Sequence, residues 1–462
     1  MELDLISKGS YSEVFYDHKK QEIYRRTPLF FKHEGSNIID TSGITDLIFT
    51  KSFEYTGHTP IVHSETICEK FISTRMPYYG QSLHDWINST PLHIRKKLAG
   101  EIIAQIIIAC MHFEKNAFFH PDLKPTNILI ETNNLGSLRI KIIDFNIASV
   151  KMVYNNDIGW TNTVGTWNYC APEIIINSVP ENNSSSWAIG IIASILIDEY
   201  TFSNFVNMDM QTKLFPQKKW ALLFNDLFIK HPDHPPLSRW EWYEEPWQKL
   251  IWNCIQWNSE KRWTLDEIYA HIYLHTFDQN TRKLYTYPLN MSNIIHSIKY
   301  MAHIGWINNE IRIHIINTMF YVCKKIKAMY IFPTAVSIFD RCDFLVYNNE
   351  DPSMVYNIAV ASMLLSSFIF DVEIITYYKH YQFLMEAFGL QCTSNVIEYI
   401  HAICKHLSYK LWEKPVHVII AEERNCIGKK NNFWKYIKNE FLESHKYYTQ
   451  RIIADHIIAK IS

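Results

Sequence analysis

The chain has 462 residues, which at roughly 100–200 residues per domain predicts several domains, and two is the working number. Hydrophobic residues make up 47% and charged residues 20% of the chain, a globular composition that argues against long disordered tracts. The formal net charge of −2 provides no overall positive field, so we expect no nucleic-acid partner.

The cysteines and the apolar runs indicate where the protein resides. Nine cysteines lie between Cys68 and Cys426, with no CxxC pair and an odd total, which predicts reduced, buried thiols rather than a disulfide framework or zinc site. MELDLISKG at the N-terminus has no apolar run typical of a signal peptide. The apolar run EIIAQIIIACM at 101–111 is about half as long as a membrane span. We therefore expect an intracellular protein, nuclear or cytoplasmic, with no membrane contact.

The order of the predicted elements divides the chain into two domains. Residues 1 to about 70 contain short runs such as SEVFYD, separated by turn residues, and predict a small sheet-rich lobe. From about 82 to 275 the pattern is mostly helical, with one β-type island at NILIETNNLGSLRIKIID. Strands followed by helices predict an α+β fold for 1–275. Residues 276–292 lose periodicity and predict a linker, and helical spacing over 293–462 predicts an all-helical second domain.

The segment HPDLKPTN at 120–127 contains the groups that phosphoryl transfer from ATP requires. Asp122 can accept the proton of a hydroxyl, Lys124 can stabilise the transferring phosphoryl group, and Asn127 can bind Mg²⁺ through its amide oxygen. Asp144 follows an apolar strand in IIDFN and can supply the second metal ligand. The pattern therefore predicts ATP and Mg²⁺ as cofactors.

The ordered segments HxDLKxxN, DF and APE, the last within GTWNYCAPE, resemble the signature of eukaryotic protein kinases. The resemblance covers about residues 4 to 275 and implies a bilobal fold and a protein substrate. It also implies a buried ion pair between Arg262 of SEKRWT and Glu173 of APE. Lys124 together with Thr166 is the pairing found in serine/threonine kinases, so serine and threonine hydroxyls are the expected acceptors. The motif GTWNYCAPE disfavours a small-molecule kinase.

The same resemblance assigns nucleotide-binding positions. ISKGSYSEV resembles the glycine-rich loop, in which only Gly9 remains, and Val14 would cover the adenine. TRMPYYGQSL resembles a kinase hinge, with Met76 as gatekeeper. In that register the carbonyl of Pro77 and the amide of Tyr79 would bind the adenine, and proline keeps the carbonyl that is needed.

The lysine that binds the nucleotide phosphates in kinases is replaced by arginine here. EIYRR places Arg25 at that position, with Arg26 and Lys32 as alternatives. DTSGITDL at 40–47 resembles the PSTAIRE helix of cyclin-dependent kinases and puts Asp46 at the position of the glutamate partner. A longer cation combined with a shorter acid spans a similar distance, and guanidinium supports bidentate pairing, so the two changes compensate each other.

Three positions depart from the kinase pattern. Pro121 replaces the arginine that binds a phosphorylated activation loop in kinases. Thr161 nevertheless aligns with the threonine that is phosphorylated in that loop. Asn146 replaces the DFG glycine and is expected to tolerate its left-handed backbone. Ser185 replaces the acid that binds the catalytic-loop backbone, and its hydroxyl can still accept one weaker hydrogen bond. The base and metal ligands are retained, so we expect activity; the alternative is a pseudokinase scaffold.

The second domain resembles a cyclin box, more loosely. RIHIINTMFYVCKKIKAMYIFPTAVSIFDRC at 312–342 resembles its first two helices and IAVASMLLSSFIF at 358–370 its third, with a generic helical domain as the alternative. The lysine that binds the kinase in cyclins reads Phe368 here, which implies a more apolar interface. Arg312 with Asp340 and Arg341 is equally explained by a salt bridge at the helix ends. A tethered cyclin-like domain implies an intramolecular contact that activates the kinase in cis by holding the helix around Asp46.

Overall fold

The computed structural model describes these residues: 3–8, 12–28, 30–33, 36–39, 42–67, 71–132, 138–154, 157–163, 165–198, 243–285, 309–342, 352–370, 378–390, 396–424, 433–443 and 450–461. The residues up to 275 are called the kinase-like unit below. Those from 309 to 461 are called the C-terminal unit.

A five-stranded antiparallel sheet forms the first lobe, in the order β1-β2-β3-β7-β6. Its strands are β1 Leu3–Lys8, β2 Glu13–Asp17, β3 Glu22–Pro28, β6 Ser64–Ile67 and β7 Phe71–Pro77. A separate hairpin is formed by β4 Phe30–His33 and β5 Ser36–Ile39. The alternating runs separated by turn residues therefore predicted this sheet-rich lobe correctly.

Helix α1, Ser42–Ser52, is buried from residue 43 to its end. A helix that is covered on all sides needs packing partners beyond one sheet. The C-terminal unit provides some of them, because the rings of Phe49 and Trp412 lie 5.7 Å apart. Lys51 Nζ also lies 5.7 Å from the centroid of the Tyr409 ring. The helix that carries Asp46 is therefore packed between the two units.

The second lobe is mainly helical and is built around α3, Leu92–Lys115. The apolar run at 101–111 lies within α3 and packs in the core, as predicted. The other helices among the described residues of this lobe are α2 Leu83–Ser89, α4 Pro172–Asn177, α5 Ser184–Ile197, α6 Glu245–Cys254 and α7 Leu265–His275. Within the described residues, no helix has both the length and the apolar character that a membrane span requires.

Short strands connect these helices and frame the catalytic segments. The predicted β-type island forms the hairpin of β10 Ile128–Thr132 and β11 Leu138–Ile142, which β8 Gln81–Ser82 extends. A second three-stranded sheet contains β9 Phe118–Phe119, β12 Ser149–Tyr154 and β13 Asp157–Trp160. The sequence patterns did not predict this second sheet.

The predicted ion pair between Arg262 and Glu173 is confirmed. Arg262 donates from Nη1 to Oε1 (2.6 Å) and from Nη2 to Oε2 (2.7 Å) of Glu173, and both side chains are buried. Ser184 Oγ donates to the same carboxylate (2.5 Å), and the guanidinium lies 5.2 Å from the Trp187 ring. Through Ser184, this cluster therefore joins the APE segment to the start of α5.

Every element described after residue 308 is a helix or a 3₁₀ turn, as the helical spacing predicted. The helices are α9 Asn309–Lys325, α10 Phe332–Asp340, α11 Pro352–Ile369, α12 Tyr378–Ala387, α13 Val396–His406, α14 Val416–Arg424, α15 Phe433–Glu443 and α16 Gln450–Ile461. Helix α8, Gln279–Leu284, lies within the predicted linker. The domain boundaries themselves stay predictions.

Arg312 and Asp340 join α9 to the end of α10. Arg312 Nε and Nη2 donate to the two oxygens of Asp340, at 2.9 and 2.8 Å. Arg341 donates from Nη1 to the carbonyl of Lys410 (3.0 Å). These contacts match the structural explanation of the three residues, a salt bridge at the helix ends.

We predict that Arg262→Met destabilises the kinase-like unit by about 3–5 kcal/mol, because it leaves the buried Glu173 carboxylate without its cation. The measurement is chemical denaturation followed by tryptophan fluorescence. Arg451→Met is the matched control: its partner Glu423 is exposed, and the expected loss is below about 1 kcal/mol. Equal losses in the two variants would contradict the prediction.

Candidate active site

The loop between β9 and β10 is held by His120. The amide of Asp122 donates to His120 Nδ1 (3.2 Å), so His120 Nε2 is the nitrogen that donates to the carbonyl of Ile143 (3.0 Å). Ile143 directly precedes Asp144. His120 therefore ties the segment that carries Asp122 to the one that carries Asp144.

The structure brings Asp122, Lys124, Asn127 and Thr166 together in one hydrogen-bonded cluster. Lys124 Nζ donates to Asp122 Oδ2 (2.6 Å) and to Thr166 Oγ1 (2.7 Å). Asn127 Nδ2 donates to the carbonyl and to Oδ2 of Asp122, both at 3.0 Å, and the Thr166 amide donates to Oδ1 (2.7 Å). Both carboxylate oxygens of Asp122 are thus held in a fixed orientation.

Gly165 allows two segments to approach each other closely beside this cluster. A Cβ atom at residue 165 would lie 2.1 Å from the carbonyl oxygen of Pro121 and 3.2 Å from the Cα of Asp122. Any side chain at this position would therefore displace the loop that carries Asp122. The glycine of GTWNYCAPE thus has a steric role at the site.

Arg25 lies at the centre of a second cluster. Its guanidinium forms a hydrogen-bonded ion pair with Asp46 of α1, and its Nη2 lies 3.6 Å from Asp144 Oδ1. The other oxygen of Asp46 accepts a hydrogen bond from the Phe145 amide (2.6 Å). Arg26 packs against the Phe71 ring instead, with 4.0 Å to the centroid. Of the described side chains, Arg25 is the one that meets Asp46, and the side chain of Lys32 is not described.

The charges of the two clusters shift several pKa values. Burial alone would raise the pKa of Asp122, but hydrogen bonds from Lys124 and Thr166 hold it below its usual value. Burial, followed by the nearby Asp46 carboxylate, raises the pKa of Asp144 despite the attraction of Arg25. Burial would lower the pKa of Arg25, and Asp46 and Asp144 raise it above its usual value. Asp122 is therefore ionised at neutral pH, and the ionised form of Asp144 is disfavoured.

These shifts fit a cation near Asp144. A divalent ion would offset the burial and the repulsion from Asp46 that disfavour the Asp144 carboxylate. The described residues contain no group of three or more His, Cys, Asp or Glu that could enclose a metal alone. Mg²⁺ in nucleotide sites is bound by one or two protein groups together with phosphates, so Asp144 and the amide oxygen of Asn127 suit it.

The predicted adenine contacts lie on β2, β7 and the segment that follows. Val14 is opposite Arg25 in the pairing of β2 with β3, and Met76 is opposite Ile23 in the pairing of β3 with β7. Pro77 ends β7. The Tyr79 side chain turns into the protein, where its hydroxyl accepts a hydrogen bond from the Ile61 amide (2.9 Å). Gly9 of the glycine-rich segment is outside the described residues, so its expected phosphate contact stays a prediction.

Two of the departures, and the aligned Thr161, have features that the sequence patterns did not predict. The left-handed backbone lies at Asp144 (φ 72°), and Asn146 is not among the described residues with positive φ. Ser185 Oγ donates to Glu114 Oε1 (2.6 Å), whereas we expected it to accept a hydrogen bond from the catalytic loop. Thr161 is only 3% exposed, and its hydroxyl accepts from the Val150 amide (3.1 Å). In this conformation Thr161 is not accessible to a kinase.

Sequence reasoning also missed the residues of the C-terminal unit that touch the kinase-like unit. Trp412 donates from Nε1 to the carbonyl of Asn116 (3.0 Å), and its amide donates to Ser52 Oγ (3.4 Å). Glu422 accepts a hydrogen bond from Lys151 (2.9 Å). Single residues in a helical domain carry no sequence signal that separates an interface contact from the domain's own core.

A known family matches the part of the chain that carries these clusters. The family described as "Protein kinase domain" matches residues 4–274, more than half of the chain. The chain belongs to the protein kinase family. Protein kinases are transferases that use ATP together with Mg²⁺. The expected resemblance over residues 4 to 275 is therefore confirmed, whereas the match does not extend to the second domain, for which a cyclin box was expected.

Individual kinases also show similarity to part of the chain. Mitogen-activated protein kinase kinase 2 of Arabidopsis thaliana is 26% identical over 45% of this chain and 53% of its own length. A probable serine/threonine-protein kinase of Dictyostelium discoideum is 30% identical, over 40% and 28%. A cyclin-dependent kinase 4 homolog of Caenorhabditis elegans is 24% identical, over 41% and 47%. The chain thus spans about half or less of the length of these curated relatives.

We predict that Asp144→Asn raises the melting temperature of the metal-free protein. A folded-state pKa above the unfolded value means that ionised Asp144 opposes folding, so the neutral amide removes this cost. The stabilisation should be smallest in acid, where the wild-type carboxyl is protonated in the folded and the unfolded state, and should grow as the pH rises toward 7. Thermal unfolding across this pH range measures it, and the variant should also lose stabilisation by added Mg²⁺. Asp46→Asn is the contrasting variant: it weakens the pair with Arg25, and we expect destabilisation.

Proposed function

We propose that the protein is an ATP- and Mg²⁺-dependent serine/threonine protein kinase. The observation that carries the proposal is the cluster in which Lys124 contacts both Asp122 and Thr166, with Asn127 bonded to the same carboxylate. A pseudokinase scaffold has no need for an oriented, ionised carboxylate beside a lysine. The family match and the kinase relatives support the same activity.

Each group of the cluster has a task in phosphoryl transfer. Asp122 orients the acceptor hydroxyl and takes its proton, and its lowered pKa keeps it ionised at neutral pH. Lys124 donates to the transferring phosphoryl group, and Arg25, held by Asp46, orients the nucleotide phosphates. Asn127 and Asp144 would hold Mg²⁺, which supplies charge neutralisation at the phosphates. Val14 and Met76 would contact the adenine, together with the Pro77 carbonyl and the Tyr79 amide.

Specificity for serine and threonine rests on the contact between Lys124 and Thr166 (2.7 Å). With Thr166 at this position, the lysine is held over the catalytic carboxylate, and the acceptor hydroxyl has to come close to both. A short hydroxyl side chain suits this restricted space. The substrate is accordingly a protein that offers serine or threonine.

We predict that Asp122→Asn lowers kcat by about 10²–10⁴-fold, the usual contribution of a positioned general base. Radiolabel transfer from ATP with Mg²⁺ to a panel of protein substrates measures it, and phosphoamino-acid analysis identifies the acceptor. Asp455→Asn, an exposed carboxylate on α16, is the control and should be fully active. A folded wild-type protein that transfers no label would contradict the proposal and favour the pseudokinase scaffold.

We further propose that the C-terminal unit, as a fused cyclin-like domain, activates the kinase in cis. The support comes from Trp412, whose ring meets Phe49 of α1 while its indole bonds to Asn116 at the end of α3. Phe49 packs in turn on Phe118 (4.5 Å), just before the catalytic loop. The Trp412 side chain thus packs against α1 and, through Phe49, supports the entry to the catalytic loop. Helix α1 in turn positions Asp46 beside Arg25.

We predict that Trp412→Ala lowers kcat/KM by about tenfold to a hundredfold, because loosening α1 misplaces Asp46 and hence Arg25. Steady-state kinetics over a range of ATP concentrations measures the effect, and KM for ATP should rise. Trp412→Phe should retain most of the activity, since it keeps the ring contact. Phe441→Ala is the control for a cavity within the C-terminal unit, because Phe441 is buried against Phe332. Equal activity losses in the two alanine variants would contradict this role of Trp412.

A further inference from the structure

The strands that follow Asp144 form a second contact with the C-terminal unit. Lys151 of β12 donates from Nζ to Glu422 Oε1 of α14 (2.9 Å). Glu422 Oε2 accepts a short hydrogen bond from Lys414, which also donates to the carbonyl of Lys115 (3.3 Å) at the end of α3. All three charged side chains are largely shielded from solvent. Glu422 therefore links the segment after Asp144 to α3 through two lysines.

An apolar contact accompanies this ion-pair network. Val153 of β12 and Ala421 of α14 are both buried and form a small cluster of their own, against which Phe433 and Trp434 pack. Ala421 directly precedes Glu422 on the same helix. The hairpin of β12 and β13 is thus attached to α14 by apolar packing and by charge.

The same hairpin is bonded to the entry of the catalytic loop. Ser149 and Val150 pair with Phe119 and Phe118 of β9, and the Lys151 amide donates to the carbonyl of Ala117 (2.9 Å). The Nζ of Lys151 also lies 5.2 Å from the centroid of the Trp160 ring on β13. A shift of this hairpin would therefore displace the residues immediately before His120.

Control by phosphorylation is not supported at Thr161 in this arrangement. Its hydroxyl accepts from the Val150 amide (3.1 Å) and donates to Ser149 Oγ (3.3 Å), and the side chain is buried. A phosphate there would break both contacts and place two charges in the core. Pro121, the residue before the catalytic Asp122, carries no cation to receive it.

We propose that Glu422 provides a built-in anion that takes the role of an activation-loop phosphate. Its carboxylate binds Lys151 and Lys414 and so orders the segment after Asp144, with Thr161 acting as a structural residue. The inference rests on the proposed kinase function. The kinase is therefore active without phosphorylation of its activation segment, and its order depends on α14 of the C-terminal unit.

The full-length protein and its Glu422→Gln variant provide the test. We expect hydrogen exchange of the amides in 149–160 to become about tenfold faster, and kcat to fall about tenfold. Glu423→Gln, one residue along α14 and paired with Arg451, is the matched control and should change neither. The charge-reversed pair Lys151→Glu with Glu422→Lys should restore part of the exchange protection and part of kcat. A variant that had only lost stability would recover neither.

Phosphatase-treated wild-type protein tests the second half of the inference. It should keep its activity, and mass spectrometry should find Thr161 unmodified in active protein. Loss of activity after phosphatase treatment, or unchanged exchange and kcat in Glu422→Gln, would overturn the inference. If the wild-type protein transferred no phosphoryl group, the kinase proposal would be overturned instead. Hydrogen exchange of the amides in 149–160 would still report whether Glu422 orders the segment.

Discussion

The carboxylate of Asp46 is the contact on which the arrangement of the site depends. One of its oxygens pairs with Arg25 of the sheet, and the other accepts the amide hydrogen bond of Phe145. The first lobe, helix α1 and the segment after Asp144 are therefore joined through a single side chain. Since this carboxylate is buried, loss of Arg25 would leave an uncompensated charge, and loss of the Phe145 amide would leave an oxygen without its hydrogen bond, so either change is costly.

This constraint explains why the C-terminal unit lies where it does. A short acid on α1 reaches Arg25 only if the helix stays close to the sheet, and residues of the C-terminal unit cover part of the surface of α1. Trp412 and Tyr409 supply that cover, and Glu422 acts in the same way on the strands after Asp144. Two separate contacts thus hold the two segments that Asp46 connects.

Local patterns predicted much of this molecule and left out its long-range contacts. Alternation and motif spacing predicted the sheet-rich lobe, α3, α5, the pair Arg262–Glu173 and the motif residues that the structure brings together around Asp122, because each depends on nearby residues or on a known motif. The left-handed backbone at Asp144 and the burial of Thr161 depend on tertiary packing. Trp412 meets Ser52 across 360 positions, and periodicity cannot tell which surface such a residue covers.

Covalent connection changes how strong these contacts have to be. Ion pairs at the protein surface contribute about 1 kcal/mol or less, so a pair such as Lys151–Glu422, which keeps some contact with solvent, is by itself too weak to recruit a separate protein. Within one chain the second unit is present at an effective concentration near the millimolar range, so modest contacts suffice to keep it docked. Under the proposed activation in cis, a kinase with its activator attached does not need the arginine that Pro121 replaces.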